Sequence, residues 1–495
     1  MRGMPSLSAT ATLLPGFEGT TLPGWLAARL RAGLGGVCIF GPNIEDAAGL
    51  RRLTDQIREA NPHAIVAIDE EGGDVTRLHY STGSPYPGNA VLGRLDDTAV
   101  TARVAAEVAA ELRSAGCTLN FAPSIDVNSN PLNPVIGVRS FGADEQLVAR
   151  HGSAWITGLQ SAGVAACAKH FPGHGDVDSD SHVALPVLDV DSETLLAREL
   201  TPFVAAIDVG VTAIMTSHIM LPQIDPVNPA TMSSVVLEGL LREQLGFDGL
   251  IVSDALDMAG ASAEIGIPEA AVRALAAGVD LLCIGTANTD EQLRDIEQAV
   301  SDAVATERLA ASRVAQATAR VREFARTHIA VSGGAGADAG GAIDDNAIAE
   351  ARAAISVTAD AAALDAARTP AAVLRLDAVA NIAVGTAPWG PFSLDDPWHG
   401  APVTRMNLAD DDPTALARTL DADASPGTII VIGKGNHRHP PAIAVIDALR
   451  ATGRSVLTVD MGWPAADRAY ADVATFGASR LMGTALIRHL ACTAR

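Results

Sequence analysis

Short apolar segments alternate with longer amphipathic segments from Leu13 to about Gly285. A short apolar run bounded by turn residues is typical of a buried strand, and the amphipathic segments have the period of a helix. The predicted strands span residues 13–17, 36–40, 64–68, 118–122, 164–169, 213–217, 250–253 and 281–284. Eight strand–helix units in succession predict a parallel (β/α)8 barrel of the TIM type.

Helix start and stop signals agree with this division. Pro268 stands at the start of one predicted helix, and Gly116, Gly210 and Gly278 stand just past the ends of others. A doubly wound open sheet is the alternative fold. Eight successive strands without a dinucleotide-binding glycine fingerprint make that alternative the weaker one.

The remainder of the chain predicts a second domain. A charged, Ala-rich helix over about residues 307–327 is followed by a stretch at 332–341 with the Gly, Ala and Asp composition of a flexible linker. Strands at 371–376, 428–433 and 455–459, with helices between them, indicate a smaller α/β domain. We therefore predict a barrel domain over residues 1–330, a linker over 331–345 and a smaller α/β domain over 346–495.

Composition and charge exclude several classes of partner. A formal net charge of -23 argues against nucleic acid and against an anionic membrane surface. Five cysteines, odd in number and scattered, form neither a disulfide framework nor a CxxC metal motif. The first residues lead into no signal-peptide core, and no apolar run is long enough to span a bilayer, so we expect a cytoplasmic protein. The oligomeric state stays open.

Charged and polar residues follow most of the predicted barrel strands. Because ligands bind at the carboxyl ends of barrel strands, these residues are candidates for a single site. They are Asp69 and Arg77 after the third strand, Asp126 after the fourth, Lys169 and His170 at the end of the fifth, His218 after the sixth and Asp254 after the seventh. Capping or ion pairing would explain any one of them, but all of them together are harder to explain in that way.

Lys169 is one of only two lysines among 35 basic residues, the other being Lys434. A chain that uses arginine almost everywhere has kept a lysine at the end of an apolar strand. We therefore predict that a compact ammonium with three donors is needed there, since a planar guanidinium cannot replace it.

Asp254 ends a buried apolar strand with a carboxylate, which is the placement of a nucleophile or an electrostatic stabiliser. Asp257 lies three residues further on. It is predicted instead to cap the N-terminus of the next helix.

The loop after the fifth strand carries three aspartates and two histidines between residues 174 and 182. The aspartates begin like a calcium loop, but Ser181 and Val187 stand where that loop requires Gly and Glu. The nearby ammonium of Lys169 and the spacing of the histidines disfavour zinc. Asp180 and His182 suit a dyad, because an adjacent carboxylate raises the imidazole pKa and fixes its tautomer for general acid catalysis. No metal or organic cofactor is predicted.

Four segments carry a resemblance to a known family. The sequence KHFPGHGD occupies 169–176 with DSH at 180–182, IDEEGG occupies 68–73, NPVIGVRSFG occupies 133–142 and SDALDM occupies 253–258. Together, and in the order they occur along the chain, these segments resemble family 3 glycoside hydrolases, specifically the bacterial β-N-acetylglucosaminidase branch. The resemblance covers roughly residues 10–330.

The resemblance implies a retaining exo-β-N-acetylglucosaminidase that trims amino sugars derived from the cell wall. Asp254 would be the nucleophile, and His182 would be the acid/base with Asp180 as its partner. The groups implied to hold the terminal N-acetylglucosamine are Asp69, Arg77, Arg139, Lys169 and His170. Asp126 and His218 are further predicted substrate-binding residues, because they follow the fourth and sixth strands.

Three other functions stay open at this point. A phosphorylase could use the same residues, because a histidine acid becomes neutral after giving up its proton and does not repel incoming phosphate. A β-glucosidase would normally take its acid from a Glu outside the barrel. A non-catalytic sugar-binding relative is the alternative from a different class, and the presence of Asp254, Asp180 and His182 argues against it.

Overall fold

A computed structural model describes residues 9–181, 184–329, 341–379 and 382–492. These residues form two compact units. The first unit comprises the described chain up to Glu71, Asp97–Ile136 and Gly142–Gly341, and the second comprises Gly72–Asp96, Gly137–Phe141 and the described chain from Ala342 onwards. The predicted linker falls largely on residues outside the described ranges, so the domain boundaries at 330 and 345 stay a prediction.

The first unit is built on eight short parallel strands. In chain order they are β1 Leu13–Leu14, β2 Gly36–Ile39, β3 Ile65–Ile68, β4 Leu119–Asn120, β5 Ala165–Phe171, β6 Ala213–Thr216, β7 Leu250–Val252 and β8 Leu282–Cys283. Each lies within or overlaps one of the eight predicted strands. Strands β2 to β7 form one sheet in sequential order, and β1 pairs with β8.

Two further links close the strands into a barrel. Val252 at the end of β7 bridges in parallel to Leu281 next to β8. The backbone N–H of Cys38 in β2 donates to the carbonyl of Pro15, one residue beyond β1, at 2.9 Å. The predicted (β/α)8 barrel is therefore confirmed, and the open-sheet alternative is wrong.

The barrel interior is filled by side chains from every strand or its flanking residue. Alternate residues point inward because side chains along a strand alternate between its two faces. The buried interior set is Leu14, Cys38, Ile65, Ala67, Leu119, Phe121, Ala165, Cys167, Ala213, Met215, Leu250, Val252, Leu281 and Cys283. Phe121 is the one aromatic side chain in this set, which agrees with a chain in which only 4% of residues are aromatic.

Helices connect the strands in both units. The α-helices are α1 Gly24–Arg31, α2 Ala47–Ala60, α3 Asn89–Leu95, α4 Thr98–Ser114, α5 Glu145–Ser161, α6 Ser192–Thr194, α7 Thr201–Asp208, α8 Ala259–Ser262, α9 Ile267–Ala277, α10 Asp290–Ala305, α11 Ala311–His328, α12 Asp345–Ala354, α13 Ala361–Ala366, α14 Pro413–Asp423, α15 Pro440–Ala451 and α16 Arg480–Cys492. Leu195–Glu199 and Val235–Gln244 are π-helical, and Gly137–Arg139 is a 3-10 turn. Within the described residues, no helix is both long enough and apolar enough to cross a membrane.

The second unit is an α/β sandwich around a six-stranded sheet. Its strands are β9 Ser356–Val357, β10 Ala372–Asp377, β11 Val403–Asn407, β12 Ile429–Gly433, β13 Val456–Asp460 and β14 Val473–Ala474, in the spatial order β11-β10-β12-β13-β14-β9. Alternate residues of β12 enter two different cores: Ile429 and Val431 pack with α14 and α15, whereas Ile430 and Ile432 pack with α12 and α16. The predicted smaller α/β domain is therefore confirmed as a fold.

Candidate active site

The ammonium of Lys169 is held between two carboxylates at the carboxyl end of β5. Its Nζ lies 2.6 Å from Oδ1 of Asp69 and 2.8 Å from Oε1 of Glu71, and its side chain is only 2% exposed. Both carboxylates belong to the segment directly after β3. A buried charge that loses its partner is strongly destabilising, so these three groups depend on one another. Glu71 was not singled out from the sequence, although it lies in the same motif as Asp69.

The carboxylate of Asp126 accepts hydrogen bonds from residues at the end of β5 and the start of the loop that follows it. Its Oδ1 accepts the backbone N–H groups of His170 (3.1 Å) and His174 (2.8 Å). Its Oδ2 lies 2.7 Å from Nδ1 of His170 and accepts the hydroxyl of Ser124 at 3.0 Å. Burial alone would raise the pKa of Asp126, but the nearby His170 and these hydrogen bonds hold the pKa well below its usual range.

The ionised carboxylate of Asp126 determines the orientation of the His170 ring and which of its nitrogens carries a hydrogen toward Asp126. Because a carboxylate only accepts hydrogen bonds, Nδ1 is the ring nitrogen that carries a hydrogen toward it. Asp126 itself is fully buried. This arrangement favours a supporting role for Asp126 over the predicted contact with substrate, and that contact stays a prediction.

Asp254 is half-buried and stands two residues beyond β7. Its Oδ1 accepts the N–H of Ala255 at 2.8 Å. Burial raises the pKa of the Cys167 thiol inside the barrel, and the charges of Lys169, Asp69 and Asp254 all act on the same thiol. The three charged groups predicted to form one site therefore all lie near enough to this buried thiol to act on it.

His218 is fully buried and uses both ring nitrogens within the protein. Nδ1 lies 2.9 Å from Oγ1 of Thr231, and Nε2 lies 3.0 Å from the carbonyl oxygen of Ala255. A carbonyl can only accept, so Nε2 donates to the residue that directly follows Asp254. This geometry favours a role in fixing the Asp254 turn, and the predicted contact of His218 with substrate stays a prediction.

The predicted helix cap at Asp257 is wrong. Helix α8 begins at Ala259 with Met258 as its N-cap, and no side chain caps it. The carboxylate of Asp257 accepts the backbone N–H of Thr286 at 3.1 Å, so it joins the turn after β7 to the turn after β8.

A cluster of charged residues holds the base of the loop that carries the predicted dyad. Arg198 contacts Asp176 in that loop through Nη2 (2.5 Å) and its neighbour Glu199 through Nε (2.6 Å). Glu199 is buried, and within the described part of the chain its second oxygen, Oε2, has no hydrogen-bond partner. A Cβ placed on Gly173 would lie 2.6 Å from that oxygen, so only a glycine allows the loop to pass so close.

Glu199 was missed in the sequence analysis, although the pattern contains a signal for it. Leu195, Glu199 and Phe203 recur at a spacing of four, which places the carboxylate on the apolar stripe of the predicted helix. Burial raises the pKa of Glu199 to about 7, against an opposing effect from Arg198.

The raised pKa predicts how stability depends on pH. Between the ordinary value of 4.5 and about 7, the folded chain binds more protons at Glu199 than the unfolded chain does. Stability therefore falls as the pH rises through this window, by at most about 3 kcal/mol for a shift of this size. We expect Glu199→Gln to gain melting temperature relative to the natural chain between pH 5.5 and pH 8. Glu243→Gln, at an exposed glutamate, is the control, and an equal response of the two variants would contradict the prediction.

The structure describes one member of the predicted dyad, Asp180. Asp180 is half-buried, and its carbonyl oxygen accepts the N–H of Ala184 at 3.0 Å. His182 lies outside the described residues. The pairing of Asp180 with His182 therefore stays a prediction.

Arg77 and Arg139 belong to the second unit. Arg77 donates from Nη2 to the carbonyl of Ala383 at 2.8 Å, and the carbonyl of Arg139 accepts from Nδ2 of Asn89 at 2.6 Å. Both arginine side chains are largely buried. Their roles toward a sugar stay predictions.

An α/β barrel with charged side chains gathered beyond the carboxyl ends of β3, β5 and β7 has the arrangement of a barrel enzyme. The model of the glycosyl hydrolase family 3 N-terminal domain matches residues 27–324. The chain belongs to glycosyl hydrolase family 3, and the family predicted from its motifs is confirmed.

Curated relatives and solved structures agree with this assignment. Beta-hexosaminidase A of Pseudoalteromonas piscicida is 35% identical over 332 residues, which are 62% of this chain and 55% of that protein. The chain thus matches little more than half the length of that relative. A family 3 β-N-acetylglucosaminidase from Paenibacillus sp. str. FPU-7 has a similar structure over 99% of this chain and 97% of its own, with a TM-score of 0.86 and 29% identity.

A second similar structure contains a sugar derivative. NagZ from Neisseria gonorrhoeae, solved in complex with N-trifluoroacetyl-D-glucosamine, is 30% identical. It covers 65% of this chain and 100% of its own, with a TM-score of 0.53.

Proposed function

We propose that this chain is a retaining exo-β-N-acetylglucosaminidase that releases terminal N-acetylglucosamine from a β-glycoside. The observation that carries the proposal is the similarity over almost the whole chain to the Paenibacillus β-N-acetylglucosaminidase. The N-acylated glucosamine bound by the Neisseria protein supports the same class of sugar.

In the first step Asp254 attacks the anomeric carbon while the acid protonates the glycosidic oxygen, and a glycosyl-enzyme forms. Two features of Asp254 suit it to this role. Its half-buried carboxylate is available to a substrate, and the Ala255 N–H on Oδ1, together with the His218 contact to the Ala255 carbonyl, fixes its orientation.

In the second step water replaces the enzyme carboxylate at the anomeric carbon. His182, neutral after the first step, accepts a proton from that water, and Asp180 stabilises the imidazolium that results. These two roles come from the resemblance of the segment 169–182 to the family motif.

Sugar binding is assigned to groups around Lys169. The ammonium, Asp69 and His170 offer donors and acceptors to sugar hydroxyls. The ion pairs of Lys169 with Asp69 and Glu71, and the contact of His170 with Asp126, fix these groups before substrate arrives. The family motifs also predict Arg77 and Arg139 as sugar-binding residues. Asp126 and His218 are assigned to the support of His170 and of the Asp254 turn.

A panel of aryl glycosides, assayed with and without phosphate, tests the proposal. We expect turnover of the aryl N-acetyl-β-glucosaminide with release of free N-acetylglucosamine in both buffers. Formation of the sugar 1-phosphate in phosphate buffer would replace the hydrolase with a phosphorylase. Preference for the aryl glucoside would make the protein a β-glucosidase, and absence of turnover on every glycoside would leave a sugar-binding relative.

A further inference from the structure

His174 is a buried group in the loop after β5 to which the proposed mechanism assigns no role. Its side chain is almost fully buried, and its Nε2 lies 3.0 Å from Oγ of Ser181. Ser181 is also buried, and it stands between Asp180 and His182, the two proposed members of the dyad. The imidazole of His174 therefore contacts the one residue that separates them in the sequence.

Hydrogen bonds hold the backbone of His174 through both its N–H group and its carbonyl group. The N–H of His174 donates to Oδ1 of Asp126 at 2.8 Å, and its carbonyl accepts from Nδ2 of Asn133 at 2.8 Å. The ring also packs edge-on against the ring of His170, with centroids 5.9 Å apart. A side chain held in this way is a rigid support rather than a mobile group.

Ser181 is held from a second direction by the segment that follows Asp254. Its carbonyl oxygen accepts the N–H of Gly260 at 3.1 Å. A Cβ on Gly260 would lie 3.0 Å from that same oxygen and 3.0 Å from the carbonyl oxygen of Ala184, so a larger residue would push the loop away. The carbonyl of Ser181 thus contacts the segment after Asp254, and its hydroxyl contacts His174.

The ring of His174 is suited to a fixed hydrogen bond and not to proton transfer. Burial and, to a lesser extent, the nearby His170 lower the pKa of His174 to about 4 against the opposing charge of Asp126. The imidazole is therefore neutral at pH 7. Its Nδ1 is buried and has no hydrogen-bond partner among the residues that the structure describes, whereas Nε2 contacts Ser181.

We propose that His174 is a positioning residue for the acid/base dyad, and that it acts through the hydroxyl of Ser181. Ser181 directly follows Asp180, so the contacts that hold Ser181 also hold the backbone beside that carboxylate. This inference rests on the proposed function, because it requires that the dyad supplies the acid.

Paired substitutions at position 174 separate positioning from packing. His174→Phe keeps a ring of similar size and removes the hydrogen bond together with the unpartnered Nδ1. If the ring serves only to fill space, this variant should fold and work at least as well as the natural chain. His174→Gln places an amide nitrogen near the position of Nε2, so it should restore part of the hydrogen bond that His174→Phe lacks.

We expect the defect to depend on the leaving group. His174→Phe and Ser181→Ala should each lose about 10-fold or more in kcat on an alkyl N-acetylglucosaminide, a part of what general acid catalysis contributes. Both should lose far less on the dinitrophenyl glycoside, which needs no proton. His174→Gln should recover part of the loss. The double variant should be no worse than the more impaired single variant, because both changes remove one interaction.

His151→Phe is the matched control. His151 lies on helix α5, is fully buried, and has its Nδ1 2.8 Å from Oγ1 of Thr101, so this substitution also replaces a buried, hydrogen-bonded histidine. Its ratio of rates on the two substrates should equal that of the natural chain. Equal losses on both substrates, or additive losses in the double variant, would overturn the positioning role. If His182→Ala shows the leaving-group dependence and His174→Phe does not, the inference fails while the proposed function stands. If neither shows it, the dyad itself fails.

Discussion

The Asp254→Asn variant is expected to lose turnover of every glycoside, whatever its leaving group. An amide is a very poor nucleophile, so no glycosyl-enzyme forms even when the departing group needs no help. Losses from removing a nucleophile reach about 10⁴-fold or more, and we expect a loss of that order in kcat. The measurement is kcat on the dinitrophenyl and alkyl N-acetylglucosaminides with the natural chain and the variant.

Asp257→Asn is the matched control for this experiment. It removes the same charge three residues away, and the asparagine oxygen can still accept the N–H of Thr286. We expect a change of less than about 10-fold, because this side chain lies outside the proposed chemistry.

One alternative reaction would give a different result for Asp254→Asn. The 2-acetamido group of the substrate can itself attack the anomeric carbon in some glycosidases, and then no enzyme nucleophile is needed. Substantial turnover of the N-acetylglucosaminide by the variant, with a normal melting temperature, would point to that reaction and remove Asp254 from the nucleophile role.

The barrel was predictable because its strands are buried on both faces. All eight apolar runs correspond to observed strands, and the inward set from Leu14 to Cys283 follows the alternation that a strand imposes. Strand β11 was missed for the opposite reason. It is an edge strand that pairs only with β10, and Met406 is its single buried residue, so its sequence contains no apolar run.

The candidate site was predictable only where the chain order determines the position. Lys169 lies near the carboxyl end of β5 and Asp254 lies two residues beyond β7, so the topology alone brings them to the same end of the barrel. The partners of these groups depend on how loops turn in space. No sequence pattern indicates that Asp126 accepts two backbone N–H groups, or that Glu71 shares the ammonium of Lys169 with Asp69.

His182→Ala is expected to slow two substrates to different extents, whereas Asp254→Asn slows both of them strongly. A general acid matters only when the leaving oxygen needs a proton, and its contribution is then about 10²–10⁴-fold. We therefore expect a loss of that size on the alkyl N-acetylglucosaminide and a much smaller loss on the dinitrophenyl glycoside. His63→Ala, at an exposed histidine, is the control and should leave both rates unchanged.

The Asp180→Asn variant tests the other half of the dyad. An imidazolium that loses its anionic partner has a lower pKa, so the limb of the pH–rate profile that reports the acid should move to lower pH. The rate loss on the alkyl glycoside should be a fraction of the loss in His182→Ala. If His182 only packed within the loop or bound a metal, its removal would slow both substrates equally. In the case of a metal, a chelator would slow the natural chain in the same way. Equal losses on good and poor leaving groups would therefore rule out the dyad and leave the acid to be sought elsewhere in the chain.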